Sequence, residues 1–331
     1  MGTFKKIMAI FLRIAISIFI LIFLFRQVDR KTLFELIKNA DKMLLFFAFI
    51  VYFGNYLLGL FRWEMLLKAV KIHLSMKRII MSFSGGIFFS LFLPSTIGGD
   101  FIRTVDLAAH TKKPKEVVAT VFLDRLSGYI GLVLLSLLAV IFGWRFVQDR
   151  AVLLSVAVIT LILCSVLLVL FNSFIYSKIN KFLHTPNAGK IKEIIRNLHQ
   201  EIHYFRNHKK IIIYNIIISI FIQSISPIVF YLIGLALGVK INIMYYFIFL
   251  PIIGAITLLP VSIGGLGLRD ATTIYFFSKA CVSKDLAFAM SLLNFSFILV
   301  YGALGGLIYV FTVRHRRLQH HKSPSVRQRR S

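Results

Sequence analysis

The stretch LPSTIGGDFIR (Leu93–Arg103) recurs without a gap as LPVSIGGLGLR (Leu259–Arg269). Six of the eleven positions are identical, and Thr96/Ser262 and Ile102/Leu268 are conservative exchanges. The second copy starts half a chain length after the first, so the protein reads as one unit written twice. In each copy an apolar segment runs into a proline and then two glycines. Proline removes a helical donor and clashes with the turn before it. Adjacent glycines let the backbone turn sharply and approach a neighbour closely. Pro94 and Pro260 therefore read as helix breaks inside apolar surroundings.

Outward from these breaks, apolar segments long enough to span a bilayer lie at 7–25, 43–61, 117–144, 151–171, 211–237 and 286–311. Two shorter ones, 79–93 and 244–259, lead into the breaks. A spanning helix needs about 20 apolar residues. Interrupted helices are tolerated in a membrane only where protein or a wet cavity covers the freed backbone. The expected fold is an all-α polytopic membrane protein with six full crossings and two Pro-Gly-Gly broken, re-entrant helices. It forms one integral membrane domain of two repeats, roughly 1–145 and 151–313.

Composition agrees. Of 331 residues, 58% are hydrophobic and 16% charged, and mean hydropathy is +0.82. That leaves too little polar surface to coat a water-soluble globule, which excludes a soluble enzyme as the bulk of the structure. The net charge of +26 would suggest nucleic acid in a polar chain; here it reads as basic loops facing anionic lipid, with no nucleic-acid partner. Cys164 and Cys281 have no metal or redox spacing. The basic stretch 172–210 carries Ile191, Ile194, Ile195, Leu198 and Ile202 at helical spacing. It reads as a cytoplasmic loop whose helix lies on the membrane or packs on the bundle. The basic tail 314–331 is expected to be disordered, and His320-His321 within it lacks a third ligand, so no metal site is expected. The apolar run at 7–25 has no cleavage pattern and reads as a retained anchor.

Charge decides how the copies are oriented. If both broken segments enter and leave on one side, 26 Lys and Arg face the cytoplasm and 11 the other side. Full crossings would reverse that bias against the positive-inside rule. Three true crossings per half then make the second repeat inverted, with both termini cytoplasmic, in a cell (inner or plasma) membrane. Transporters built this way hold their substrate near the midplane between repeats.

The breaks have a definite chemistry. Gly98 and Gly99 allow close approach, and a helix beginning near Asp100 would offer free N–H groups and a positive dipole end. Arg103, one turn on, can grip a phosphate with two hydrogen bonds. Gly264, Gly265, Gly267, Arg269 and Asp270 repeat the arrangement. The plainer reading is that the glycines serve tight packing and the arginines snorkel. Asp124 and Arg125 point about 100° apart on one helix and need separate partners. Asp124 either meets Arg103 or sits as an interfacial charge. Arg62-Trp63 reads as an interfacial anchor, and Gln223, Ser226 and Pro227 as contacts between helices. No Ser/His pair, H-E-x-x-H, P-loop or carboxylate pair near a His is present, so no catalytic residue, cofactor or enzyme activity is expected.

Three ordered motifs, Leu93–Arg103, Asp124-Arg125-Leu126-Ser127-Gly128 and Pro260–Asp270, resemble the lysylphosphatidylglycerol synthase transmembrane (flippase-like) family. Asp270 stands where many relatives carry Glu. The resemblance implies a membrane domain that flips lipid, a role distinct from that of the soluble aminoacyl-transferase domain which makes lysyl-phosphatidylglycerol. The chain stops at Ser331, so transferase activity is not expected of it, though a separate soluble transferase is a conceivable partner. The expected function is a flippase or scramblase for an anionic phospholipid or a polyprenyl-phosphate lipid. The alternatives are an accessory subunit or enzyme of lipid or glycolipid modification, and a non-lipid solute transporter.

Overall fold

The computed structural model describes residues 2–93, 96–111, 113–146, 150–171, 209–258, 262 and 264–321. Among them are eleven α-helices and no strand. They are α1 (Gly2–Gln27), α2 (Arg30–Asn39), α3 (Lys42–Ala69), α4 (Met76–Ser90), α5 (Thr96–Thr111) and α6 (Pro114–Phe142). The second half holds α7 (Arg150–Phe171), α8 (Lys209–Ala236), α9 (Ile243–Thr257), α10 (Leu268–Ser278) and α11 (Lys284–His321). Four of them, α3, α6, α8 and α11, contain stretches long and apolar enough to cross a membrane. A 28-residue helix such as α3 is about 42 Å long, enough for the hydrocarbon core and both head-group layers. The 15 residues of α4 or α9 reach only about 22 Å.

Local chemistry sets the helix starts. Asp41 Oδ1 accepts from Met43 N (2.8 Å) and Leu44 N (3.1 Å), and Asn242 Oδ1 accepts from Met244 N (2.9 Å). These caps satisfy donors that the first turn leaves free. Pro114 opens α6, where its missing N–H costs nothing. Asp29 caps α2, an amphipathic helix that hydropathy alone passes over.

Small residues bring the helices together, as expected where lipid removes the hydrophobic drive between them. A Cβ on Gly305 of α11 would lie 2.8 Å from the Ser84 carbonyl oxygen of α4, and one on Gly131 of α6 would lie 2.8 Å from the Ser219 backbone of α8. Helices α3 and α8 run antiparallel. Asp41 N donates to Ala236 O (2.9 Å) at one end, and Arg62 Nη1 to Ser219 Oγ (2.8 Å) near the other. Buried apolar side chains form two bodies. One gathers Trp63, Leu67, Ile79, Leu107 and Val117 from α3–α6; the other gathers Phe230, Tyr246, Phe277 and Phe288 from α8–α11. Outward-facing Phe46, Phe142, Leu161 and Phe311 are all at least 60% exposed, as side chains meeting lipid should be.

Three expectations change. Helix α5 starts at Thr96, not Asp100, so Gly98 and Gly99 are helical and serve contact. A Cβ on Gly99 would come within 2.0 Å of Gly86 O and Ser90 Oγ of α4. The second copy behaves differently: Gly264, Gly265 and Gly267 have φ of +58°, +77° and +79°, and the helix begins only at Leu268. The difference follows sequence, since Phe101 stands where the second copy has Gly267. Helix α11 also runs on to His321, where a disordered tail was expected from Arg314. Pro94, Pro260, residues 322–331 and the 172–210 loop up to 208 lie outside the described residues.

Candidate functional site

Five charged side chains from three helices meet beside a cavity. Arg62 of α3 pairs through Nε with Asp124 Oδ1 of α6 (2.8 Å). Arg103 of α5 pairs through Nη2 with the other oxygen, Asp124 Oδ2 (2.8 Å). Arg103 Nε also lies 3.0 Å from Asp100 Oδ1, one turn back on α5, while Arg125 of α6 pairs with Asp100 Oδ2. Asp124 and Arg103 are each 4% exposed, and Arg62 and Asp100 each 8%. Among the described residues the cluster holds three arginines and two aspartates.

Each member is placed by its helix. Arg62 follows Lys42 by 20 residues, about 30 Å along α3, and precedes the helix end at Ala69 by about 10 Å. The cluster therefore sits below one end of the long helices, well away from the Asp41 side. Asp124 and Arg125 point to different partners, as neighbours on a helix must. The Arg103 guanidinium stacks 4.7 Å above the Trp63 ring and 5.6 Å from that of Phe83, a cation–π arrangement that stiffens it. Its Nε remains a buried donor without an aligned acceptor. Burying ions is costly even when they are paired, so stability alone does not account for such a cluster.

The cavity these groups line has a volume of 320 Å³. All five charged residues border it, with Tyr52, Tyr56, Phe83 and Tyr301 among the aromatic walls and Gln223 reaching in from α8. Gln223 Nε2 also donates to Gly128 O of α6 (2.8 Å), the helix–helix contact expected of it. An anion entering would meet guanidinium donors on a fixed aromatic and ion-paired support.

The second copy forms a separate group. Arg269 Nη2 pairs with Asp270 Oδ1 (3.2 Å), Arg269 Nε donates to Ser291 Oγ (3.2 Å), and Ser291 Oγ donates to Asp270 Oδ1. Gly267 N–H donates to Asp270 Oδ2 (2.9 Å). Asp270 is fully buried, and the Arg269 guanidinium lies 4.9 Å from the Phe295 ring. Arg269 is balanced locally and does not line the Arg103 cavity. The structure thus gathers Asp100, Arg103, Asp124 and Arg125 but not Gly264, Gly265, Gly267, Arg269 or Asp270. Gly98 and Gly99 hold α5 against its neighbours and do not line the cavity. The two breaks nevertheless approach: a Cβ on Gly264 would be 3.9 Å from Leu91 O.

Sequence reading missed Arg62 and Ser219. Arg62-Trp63 is not an interfacial anchor, because Trp63 is fully buried beneath Arg103 and Arg62 is ion-paired. The available signal was Glu64 and Lys68 at i,i+4 spacing beyond Phe61, which shows the helix continuing past its apolar stretch. An ion pair between Arg78 and Asp106 (2.7 Å), joining α4 to α5, was likewise not expected.

Comparison with known proteins agrees with this architecture. The family described as the lysylphosphatidylglycerol synthase TM region matches residues 10–306, and the chain belongs to it. A UPF0104 membrane protein of Pyrococcus horikoshii is 23% identical over 282 residues, covering 78% of this chain and 84% of the relative. A UPF0104 membrane protein of Methanothermobacter thermautotrophicus is 25% identical over 281 residues, covering 78% and 82%. No solved structure matches. The chain is accordingly a multi-pass integral membrane protein.

Proposed function

We propose that this member of the lysylphosphatidylglycerol synthase TM region family binds the anionic head group of a lipid in the Arg103 cavity and passes it between leaflets. The lipid is an anionic phospholipid or a polyprenyl phosphate. The observation that carries the reading is the gathering of three guanidinium groups, Arg62, Arg103 and Arg125, around Asp100 and Asp124 among membrane helices, beside a 320 Å³ cavity that all five border. Guanidinium groups hold phosphate with paired hydrogen bonds, and the ion pairs keep them oriented before the ligand arrives. The reaction in this reading is movement alone; among the described residues the cavity lining holds no His and no Cys.

The transport path follows from an inverted repeat. In this reading α3 and α8 are equivalent helices, as are α4 and α9, α5 and α10, and α6 and α11. The antiparallel course of α3 and α8 and the approach of Leu91 to Gly264 support it. Helices α1 and α7 supply the fifth and sixth crossings, both termini face the cytoplasm, and the chain sits in the cell membrane.

Reconstituted vesicles test the function. Wild-type protein should expose fluorescent phosphatidylglycerol or polyprenyl phosphate from the inner leaflet to an external quencher, without changing the lipid's mass. Arg103→Ala should abolish exchange while inserting normally, and Arg103→Lys should restore part of it, since an ammonium cannot make the bidentate contact. Loss of a charge-assisted bond weakens head-group binding by roughly ten- to hundredfold. Wild-type exchange by Arg103→Ala would refute the site, and a new lipid species would make the protein an enzyme.

A further inference from the structure

We propose that the groove between α1 and α2 is a second lipid site, which seats an acyl chain along α1 and holds the phosphate of an anionic phospholipid on Arg26 and Arg30. The groove encloses 800 Å³ and is lined by Ile18, Leu21, Ile22, Phe25, Leu33 and their neighbours, with Arg26 and Arg30 among them. It shares no lining residue with the Arg103 cavity, so this site stands or falls separately from the transport reading.

Its position matches a lipid standing in one leaflet. The apolar part of α1 runs to Gln27, which puts Arg26 at the end of that stretch. Helix α2 then turns away as an amphipathic element: Leu33 is buried, Phe34 is 68% exposed, and Arg30, Lys31, Glu35 and Lys38 are exposed. Leu33, Leu36 and Ile37 pack α2 on the bundle, while exposed Phe34 borders the groove beside Leu33 and Ile37. Asp29 N donates to Asp285 Oδ1 (3.3 Å), which ties the α1–α2 turn to the start of α11, the end of the bundle opposite Arg62.

Charge selects the occupant. Arg26 and Arg30 are exposed, and among the described residues neither pairs with a carboxylate. A helix of a second copy would fill the apolar floor but leave both guanidinium groups without an acceptor at the membrane boundary. A phospholipid fills the floor with its chain and supplies phosphate oxygens in the geometry arginine prefers.

The test uses full-length protein in phosphatidylcholine nanodiscs doped with phosphatidylglycerol carrying a photoactivatable group on its acyl chain. Peptide mapping should place the label within residues 18–37. Each arginine replaced by alanine should reduce that label about fivefold, and both together about twenty-five-fold. Ile22→Trp, which fills the groove and keeps both charges, should also reduce it. Arg103→Ala should leave it unchanged. Equal labelling by a phosphatidylcholine probe, or full labelling of the R26A/R30A protein, would overturn the proposal. Disulfide-linked dimers formed through Ile22→Cys would do so as well, by assigning the groove to a second copy.

Discussion

Replacing Asp124 by asparagine changes one charge and almost no volume. The carboxylate accepts from Arg62 Nε and Arg103 Nη2, each at 2.8 Å, and is 4% exposed. In Asp124→Asn the cluster gains one positive charge, and an amide NH₂ must face a guanidinium. Removing one partner of a buried pair costs about 3–5 kcal/mol because the other charge stays buried. That is a large share of the roughly 5–15 kcal/mol by which proteins are stable, and it moves the folding equilibrium by two to four orders of magnitude at about 1.4 kcal/mol per decade. Unfolding in mixed micelles, followed by circular dichroism, should show a clearly lower midpoint. Adding Arg62→Ala restores the cluster's original charge, so the double variant should be more stable than the two single losses summed, by about 0.5–3 kcal/mol. A wild-type midpoint for Asp124→Asn, or strict additivity in the double variant, would refute the claim that these groups act as one network.

Three further outcomes test other parts of the structure. Gly99→Ala should destabilise the fold by roughly 1–3 kcal/mol, an overpacking cost, because its Cβ would meet Gly86 O and Ser90 Oγ at 2.0 Å. Gly254→Ala, whose nearest neighbour would be Leu132 Cδ1 at 3.8 Å, should leave the same melting curve unshifted. Arg269→Ala strands fully buried Asp270 and should lower the melting midpoint, while Arg269→Ala/Asp270→Asn should recover most of the loss; no recovery would mean that the pair is not what holds Arg269. For the inverted arrangement, Lys113→Cys and Lys279→Cys should react with an impermeant maleimide from opposite sides of sealed vesicles, and labelling from one side would break the symmetry argument.

The asymmetry between the two copies was partly visible beforehand. Leu266 stands where the first copy has Asp100, and Asp270 directly follows Arg269, so the second arginine had a local partner and the first a more distant set. The spacing of Asp124 and Arg125 on one helix also required two partners, and the structure supplies Arg103 for one and Asp100 for the other. The Glu64/Lys68 pair showed the helix of Arg62 running on past its apolar stretch, but nothing local marked what Arg62 meets. Its partners lie 62 and 157 residues away, and an arginine that ends an apolar run looks the same whether it faces head groups or a cavity.

Composition and periodicity alone determined a helical membrane protein, the places of its apolar stretches and the duplicated motif. Those properties are local: the bilayer forces every backbone group to bond within its own segment, so hydropathy reports helices directly. Tertiary structure alone decided which charges share a cavity. It also decided that Gly98 and Gly99 serve contact while Gly264, Gly265 and Gly267 serve backbone bending. The reason is that a glycine pair is compatible with both a close helix crossing and a positive φ. The surroundings select between them: in the first copy the helix passes against Gly86 O, and in the second the chain turns at positive φ, with Gly267 against Ile20 and Ser17 of α1.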